Sequence, residues 1–139
     1  MNSRLIAIGF WEDPGSKHAF PHPKNIVDPE WERQNRNKIV SYLKSGIIYG
    51  QGFGYSHCRF NDGPPPAQMG SADLTDGKYV WPEGLYVYIQ SFNVYLPDWF
   101  ISDIKQKNFK IDTNVILPRA TPSVYDYSLW LAWARSAKR

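Results

Sequence analysis

Cys58, with His57 beside it, is the first place in this chain where chemistry could reside. A cysteine acts as a nucleophile when a base touches it and an oxyanion site faces it. Neighbouring residues of an extended chain point to opposite faces, so His57 is badly placed as that base. His18 or His22 would have to reach the thiol through the fold. The same four side chains are of zinc-ligand type. His18 and His22, however, are separated by Pro21 in a stretch that cannot be helical, and no Cys-x-x-Cys pair is present. The spacing favours ordinary histidines and a free thiol, with no metal.

Carboxylates form the second constellation. Asp73, Asp76 and Glu83 flank a short stretch, and Asp62 lies further upstream. Two such groups do acid–base work when a cleft drives their pKa values apart. The structural alternative is that Asp76 makes the turn before Gly77 and Glu83 complements a helix start. Gly50-Gln51-Gly52-Phe53-Gly54 has the glycine content of a phosphate loop but not the G-x-x-x-x-G-K-[ST] spacing, so backbone geometry explains it better. Aromatics interleave with lysines over Phe92–Lys110, a pattern that can stack single-stranded nucleic acid. The lysines occupy only its later half, and no recognised binding module surrounds them.

The elements that must position these residues follow from patterning. Leu5–Trp11 reads as a strand ending at the turn Asp13-Pro14-Gly15. Phe20–Pro23 carries two prolines and is a loop. A helix is expected over 29–45, with Asp28 as N-cap, Pro29 in the first turn, Trp31, Ile39, Tyr42 and Leu43 on one face, and Gly46 as the stop. Ile47–Phe53 reads as a strand in which Gly50 and Gly52 suggest a bulge. Loop 54–76 is rich in Gly and Pro, and a connection of that length is usually functional or disordered. Lys78–Trp81 is a short strand, and Pro82-Glu83-Gly84 opens a helix running to about Phe92. Pro97 and Asp98 begin another, Val115–Leu117 reads as an edge strand, and a final helix is expected over 124–137. The expected class is α+β: a single domain over 1–139, with a small, mostly antiparallel sheet and about three to four helices.

Composition bounds the function. The chain has 139 residues and a formal charge of +3, from 16 Lys and Arg against 13 Asp and Glu. Lys105, Lys107, Lys110, Lys138 and Arg139 fall in the C-terminal third, a milder bias than the basic stripe of a dedicated nucleic-acid binder. One cysteine excludes an internal disulfide and fits a reducing, cytoplasmic compartment. No apolar run approaches the ~20 residues of a membrane span. Aromatic residues make up 16% of the chain, with six Trp, nine Tyr and seven Phe. Such side chains serve equally as core and as binding hot spots.

Two stretches carry a resemblance. Gly54-Tyr55-Ser56-His57-Cys58-Arg59 is the first, and Gly70-Ser71-Ala72-Asp73-Leu74-Thr75-Asp76-Gly77-Lys78-Tyr79-Val80-Trp81-Pro82-Glu83-Gly84-Leu85 the second. Together they resemble a family of small uncharacterised bacterial proteins whose pattern is Gly-x-Ser-x-Cys-Arg, a short loop, then Leu-Thr-Asp-Gly-x-Tyr-x-Trp-Pro-Glu-Gly-Leu. Members often carry a second Cys soon after the first, where this chain has Asn61 and Asp62. The resemblance implies no activity and transfers no catalytic residue.

The leading expectation is a non-enzymatic bacterial interaction protein of the immunity kind, which binds and neutralises a toxin partner through loop 54–76 or the aromatic C-terminal region. The alternative is a small enzyme or ligand-binding domain at the 55–59/76–83 junction. Its candidate binding residues are Tyr55, His57, Cys58, Arg59, Asp76, Trp81 and Glu83, with Arg59 facing one of the carboxylates. A weak nucleic-acid binder is the third. None of these readings requires a cofactor.

Overall fold

Gly9 sets where the first strand must end. Its φ of +75° is a left-handed conformation that L side chains rarely adopt. A Cβ there would also lie 2.7 Å from the Leu85 side chain. The strand expected over Leu5–Trp11 therefore stops at Ala7. A computed structural model describes residues 4–51 and 56–137. Its elements in chain order are β1 (Leu5–Ala7), α1 (Arg36–Lys44), β2 (Ile47–Gln51), α2 (Pro66–Met69), β3 (Ala72–Thr75), β4 (Tyr79–Pro82), α3 (Leu85–Phe92), α4 (Asp98–Gln106), β5 (Tyr125–Asp126) and α5 (Ser128–Ser136). Short 3-10 turns stand at Pro23–Asn25 and Pro122–Val124.

The strands form one sheet in the order β2-β3-β4-β1-β5. β2, β3 and β4 make an antiparallel meander, and β1 and β5 extend it in parallel. The expected α+β class and single compact domain hold. The bulge suggested by Gly50 is present as a register shift between Ile48 and Gly50.

Alternation along the strands divides the core into two layers. Leu74, Tyr79 and Trp81 join the main core with Ile39, Tyr42 and Leu43 of α1, Leu85 and Ile89 of α3, and Phe100 and Ile104 of α4. Leu5, Ala7 and Val80 face the other way, into a smaller layer with Val124 and the rings of Phe10, Tyr49, Tyr125 and Tyr127. The sheet is coiled as well as twisted. Tyr49 on one edge strand and Tyr125 on the other approach to 6.3 Å between ring centres.

Four further expected elements differ from those observed. The helix expected over 29–45 is regular only from Arg36, because Glu32 has φ +46° and breaks the first two turns. Arg36 holds this irregular approach in place. Its guanidinium donates to the carbonyls of Trp31 at 2.8 Å and Asp28 at 2.7 Å, and to Asn93 Oδ1 at 2.5 Å. Asp28 still turns the chain, accepting from the Glu30 amide at 3.0 Å. Loop 54–76 contains α2 and β3, and β3 is an interior strand of the sheet. Val115–Leu117 is not a strand. Val115 packs over Gly77, and Pro118 accepts the Tyr49 hydroxyl at 2.7 Å. The last helix begins at Ser128 rather than 124, because Tyr125 and Asp126 pair with β1.

No helix among the described residues is long and apolar enough to cross a membrane.

Candidate functional site

The carboxyl ends of β1 and β4, the amino end of β3 and the start of α3 meet around a cavity of 230 Å³. Ligand sites favour the carboxyl ends of parallel strands because the connections there diverge and leave a crevice. Here β1 runs into Gly9, Phe10 and Trp11, while β4 runs into Pro82, Gly84 and Leu85, all of which line the cavity. Phe20, Met69 and Tyr88 complete its apolar wall, and Arg59, Asp13, Ser16 and Ser56 add polar groups.

Asp73 is the half-buried carboxylate of this wall. Its Oδ2 accepts the Tyr125 hydroxyl at 2.6 Å, a bond that reaches across the coiled sheet from β5 to β3. Among the described residues its Oδ1 has no hydrogen-bond partner. Burial raises the Asp73 pKa above the ordinary carboxyl value, against the opposing pull of the Tyr125 hydrogen bond. Burial likewise raises the Tyr125 and Tyr127 phenols, and the Asp73 charge adds to both shifts. The carboxyl can therefore hold a proton at a higher pH than an exposed aspartate.

Trp11 is 5% exposed, and its Nε1 is buried with no partner among the described residues. Buried polar atoms are nearly always paired, so this orphan, in a residue that lines the cavity, is exceptional. An aromatic cluster adjoins the cavity through Phe10 and Phe20. Phe10 lies 6.1 Å from Phe20, 6.0 Å from Tyr125 and 5.4 Å from Tyr127, and His18 stacks on Phe20 at 5.0 Å.

The residues expected at one junction are dispersed. Tyr55 lies outside the described residues. Arg59 reaches the cavity but faces neither Asp76 nor Glu83. Its guanidinium donates to the carbonyls of Glu12 at 3.2 Å and His57 at 2.8 Å. The His57 side chain is exposed, and Cys58 is half-buried against Gly63 and beside the Tyr88 hydroxyl. Trp81 is fully buried core, with its Nε1 donating to the Leu43 carbonyl at 3.0 Å.

Glu83 does not serve a helix start. Its Oε1 accepts from the Ala72 amide at 3.1 Å, fixing the first residue of β3. Gly70, with φ +80°, allows this approach, since a Cβ there would lie 2.2 Å from Glu83 Oε1. Asp76 sits at the opposite end of the β3–β4 hairpin, about 10 Å away by strand rise. There it accepts from the amides of Lys78 and Tyr79, at 2.9 and 2.8 Å, and from the Tyr42 hydroxyl at 2.5 Å.

The other sequence candidates have separate roles. His22 Nδ1 accepts from the Lys24 amide, and burial lowers its pKa. No group of three or more His, Cys, Asp or Glu among the described residues could hold a metal ion. Lys105 pairs with Glu32 at 2.9 Å and Lys107 with Asp76 at 3.7 Å, so neither presents an unbalanced charge.

Sequence reasoning passed over Asp73, Trp11, Phe10 and Tyr125 as a group. Asp73 stood among the paired carboxylates, but its partners lie more than fifty residues away. The remaining signal was faint, a polar residue facing out of an apolar strand between Ala72 and Leu74. Compared with family models, curated proteins and solved structures, the chain matches none.

Proposed function

We propose that the protein is a ligand-binding domain whose site is the Asp73 cavity. One observation carries this reading: two residues that line the cavity each hold an unpaired polar atom, Asp73 at Oδ1 and Trp11 at its buried Nε1, among aromatic and aliphatic side chains. Apolar walls with a few convergent polar atoms are what a small-molecule site requires, because the rings supply contact area and the polar atoms fix orientation. The ligand this wall suits is a small, largely apolar molecule with one hydrogen-bond donor and one acceptor. Recognition is favoured over reaction by Arg59, whose Nε and Nη1 donate to backbone carbonyls.

Screening a fragment collection by NMR against the intact protein tests the reading. Binders should shift the Trp11 indole resonance. Both Trp11→Phe, which removes the N–H together with the pyrrole ring that carries it, and Asp73→Asn should weaken them by about tenfold. Binders that ignore both substitutions, or no binder in this cavity at all, would remove the proposal.

A second reading, a cytoplasmic bacterial immunity-type protein that binds a toxin, is supported by exposed apolar side chains, one of them on an edge strand. β2 is an edge strand, Ile48 on it is 66% exposed, and Ile116 is 97% exposed. An exposed edge strand invites pairing with a partner strand. Affinity capture from native lysate should then recover one stoichiometric protein, and Ile48→Lys should abolish its recovery. Recovery of the chain alone would discard this reading and leave the first standing.

A further inference from the structure

A second cavity lies away from Asp73, where the broken approach to α1 meets the end of α5. It has a volume of 160 Å³ and is bounded by Trp31, Tyr95, Trp133, Asp98 and Ser136. Tyr95 forms one wall, 97% buried, with its hydroxyl donating to the Ala137 carbonyl. The two indoles stand against it at steep angles. Trp31 is 6.4 Å from the Tyr95 ring centre at 64°, and Trp133 is 5.7 Å away at 68°. Three rings set this way make an open-fronted box. Both indoles are half-buried, so each keeps surface for contact.

Among the described residues that line the box, the formal charge is negative. Asp98 is the charged residue of its lining, and the described residues offer that carboxylate no ion-pair partner. Ser136 and Ala137 are the last residues before the described chain ends, at the carbonyl end of α5, which carries partial negative charge. Ring faces are themselves negative. A cation is therefore favoured. A cation that has shed its N–H groups is favoured most, because it loses little hydration on entry and fits flat aromatic walls.

We propose that this cavity binds a quaternary or methylated ammonium group, walled by Trp31, Tyr95 and Trp133 with Asp98 supplying the countercharge. The irregular segment before α1 has a use in this light. Arg36 grips the Trp31 carbonyl at 2.8 Å and so fixes the indole as one wall. The site is independent of the Asp73 cavity and stands or falls separately from it.

The test is an NMR titration of the intact protein with choline and with its uncharged carbon isostere, 3,3-dimethylbutanol, read at the indole N–H resonances of Trp31 and Trp133. Choline should saturate both resonances, with the isostere about tenfold weaker. Asp98→Asn, an exposed substitution that leaves the core intact, should weaken choline several-fold. Trp133→Leu should abolish binding. A trimethyllysine peptide and choline present the same headgroup, and whichever binds more tightly identifies a modified side chain or a free solute as the source. Equal binding of choline and its isostere, choline binding indifferent to Asp98→Asn, or no response to choline at about 50 mM would overturn the proposal.

Discussion

Asp73 and Asp76 lie three residues apart at opposite ends of β3, and their carboxylates are used differently. Asp76 is 4% exposed and accepts two backbone amides and the Tyr42 hydroxyl, with the Lys107 ammonium at 3.7 Å. Asp73 is more open, accepts one tyrosine hydroxyl, and lines a cavity. Burial alone would have selected Asp76 as the unusual group. Unspent hydrogen-bonding capacity selects Asp73. A carboxylate whose capacity is filled by its own fold holds the hairpin together, whereas one left with a free oxygen beside a cavity has something to offer a ligand.

The comparison breaks most readily at Asp76. Asp76→Ala leaves two amides and a buried hydroxyl without their acceptor and the Lys107 ammonium without its countercharge, and should cost about 3–5 kcal/mol of stability. Urea denaturation monitored by tryptophan fluorescence would show the midpoint fall with the slope unchanged. A loss below about 1 kcal/mol would mean that the Asp76 network is ornamental and that the contrast with Asp73 is false.

The Asp76 turn was legible in the sequence because Thr75-Asp76-Gly77 is a local signal, and the turn chemistry of aspartate acts within three residues. The strand Lys78–Trp81, the helices beginning at Gly84–Leu85 and Pro97–Asp98, and the α+β class were readable for the same reason. What could not be read depends on distant partners. Glu32 leaves helical φ/ψ in a segment tied down by Arg36, whose guanidinium is anchored in turn by Asn93. β3 is four residues inside a Gly- and Pro-rich stretch, and it is a strand because β2 and β4 bracket it. β5 is two residues long and carries no pattern at all. The Asp73 site needed the coiling of the sheet, since only that brings Tyr125 within 2.6 Å.

Glu83 offers an intermediate test. It was grouped with Asp76 as a possible partner of Arg59, yet its carboxylate is occupied by the Ala72 amide. Glu83→Ala should therefore cost about 1–2 kcal/mol by leaving that amide short of its acceptor. Hydrogen exchange should quicken first at Ala72, while the Asp76 turn stays protected. Uniform acceleration across the hairpin would show that its two ends are a single unit, and the comparison would lose its meaning.

The smallest effect is the most discriminating, because it has opposite signs at two aspartates that both accept a tyrosine hydroxyl. Burial raises the Asp73 pKa, whereas hydrogen bonds from Lys78 at 2.6 Å and Tyr79 at 2.5 Å lower that of Asp103. A carboxyl with a raised folded pKa binds its proton more tightly when folded. Its contribution therefore weakens the fold as pH climbs from the ordinary aspartate value of 3.8 through the raised one. Asp73→Asn removes that penalty. The variant should lie within about 0.5 kcal/mol of the parent in acid and gain on it as the pH rises through this window. Asp103 is the mirror case. Its stabilisation is present above 3.8 and is lost as pH falls through its lowered folded value, so Asp103→Asn should be weaker than the parent near neutrality and converge with it in acid. Denaturation midpoints of both variants, followed from neutral pH into acid, read the two signs directly. If Asp73→Asn instead tracks Asp103→Asn, the Asp73 carboxylate is satisfied inside the fold and has no free oxygen for a ligand.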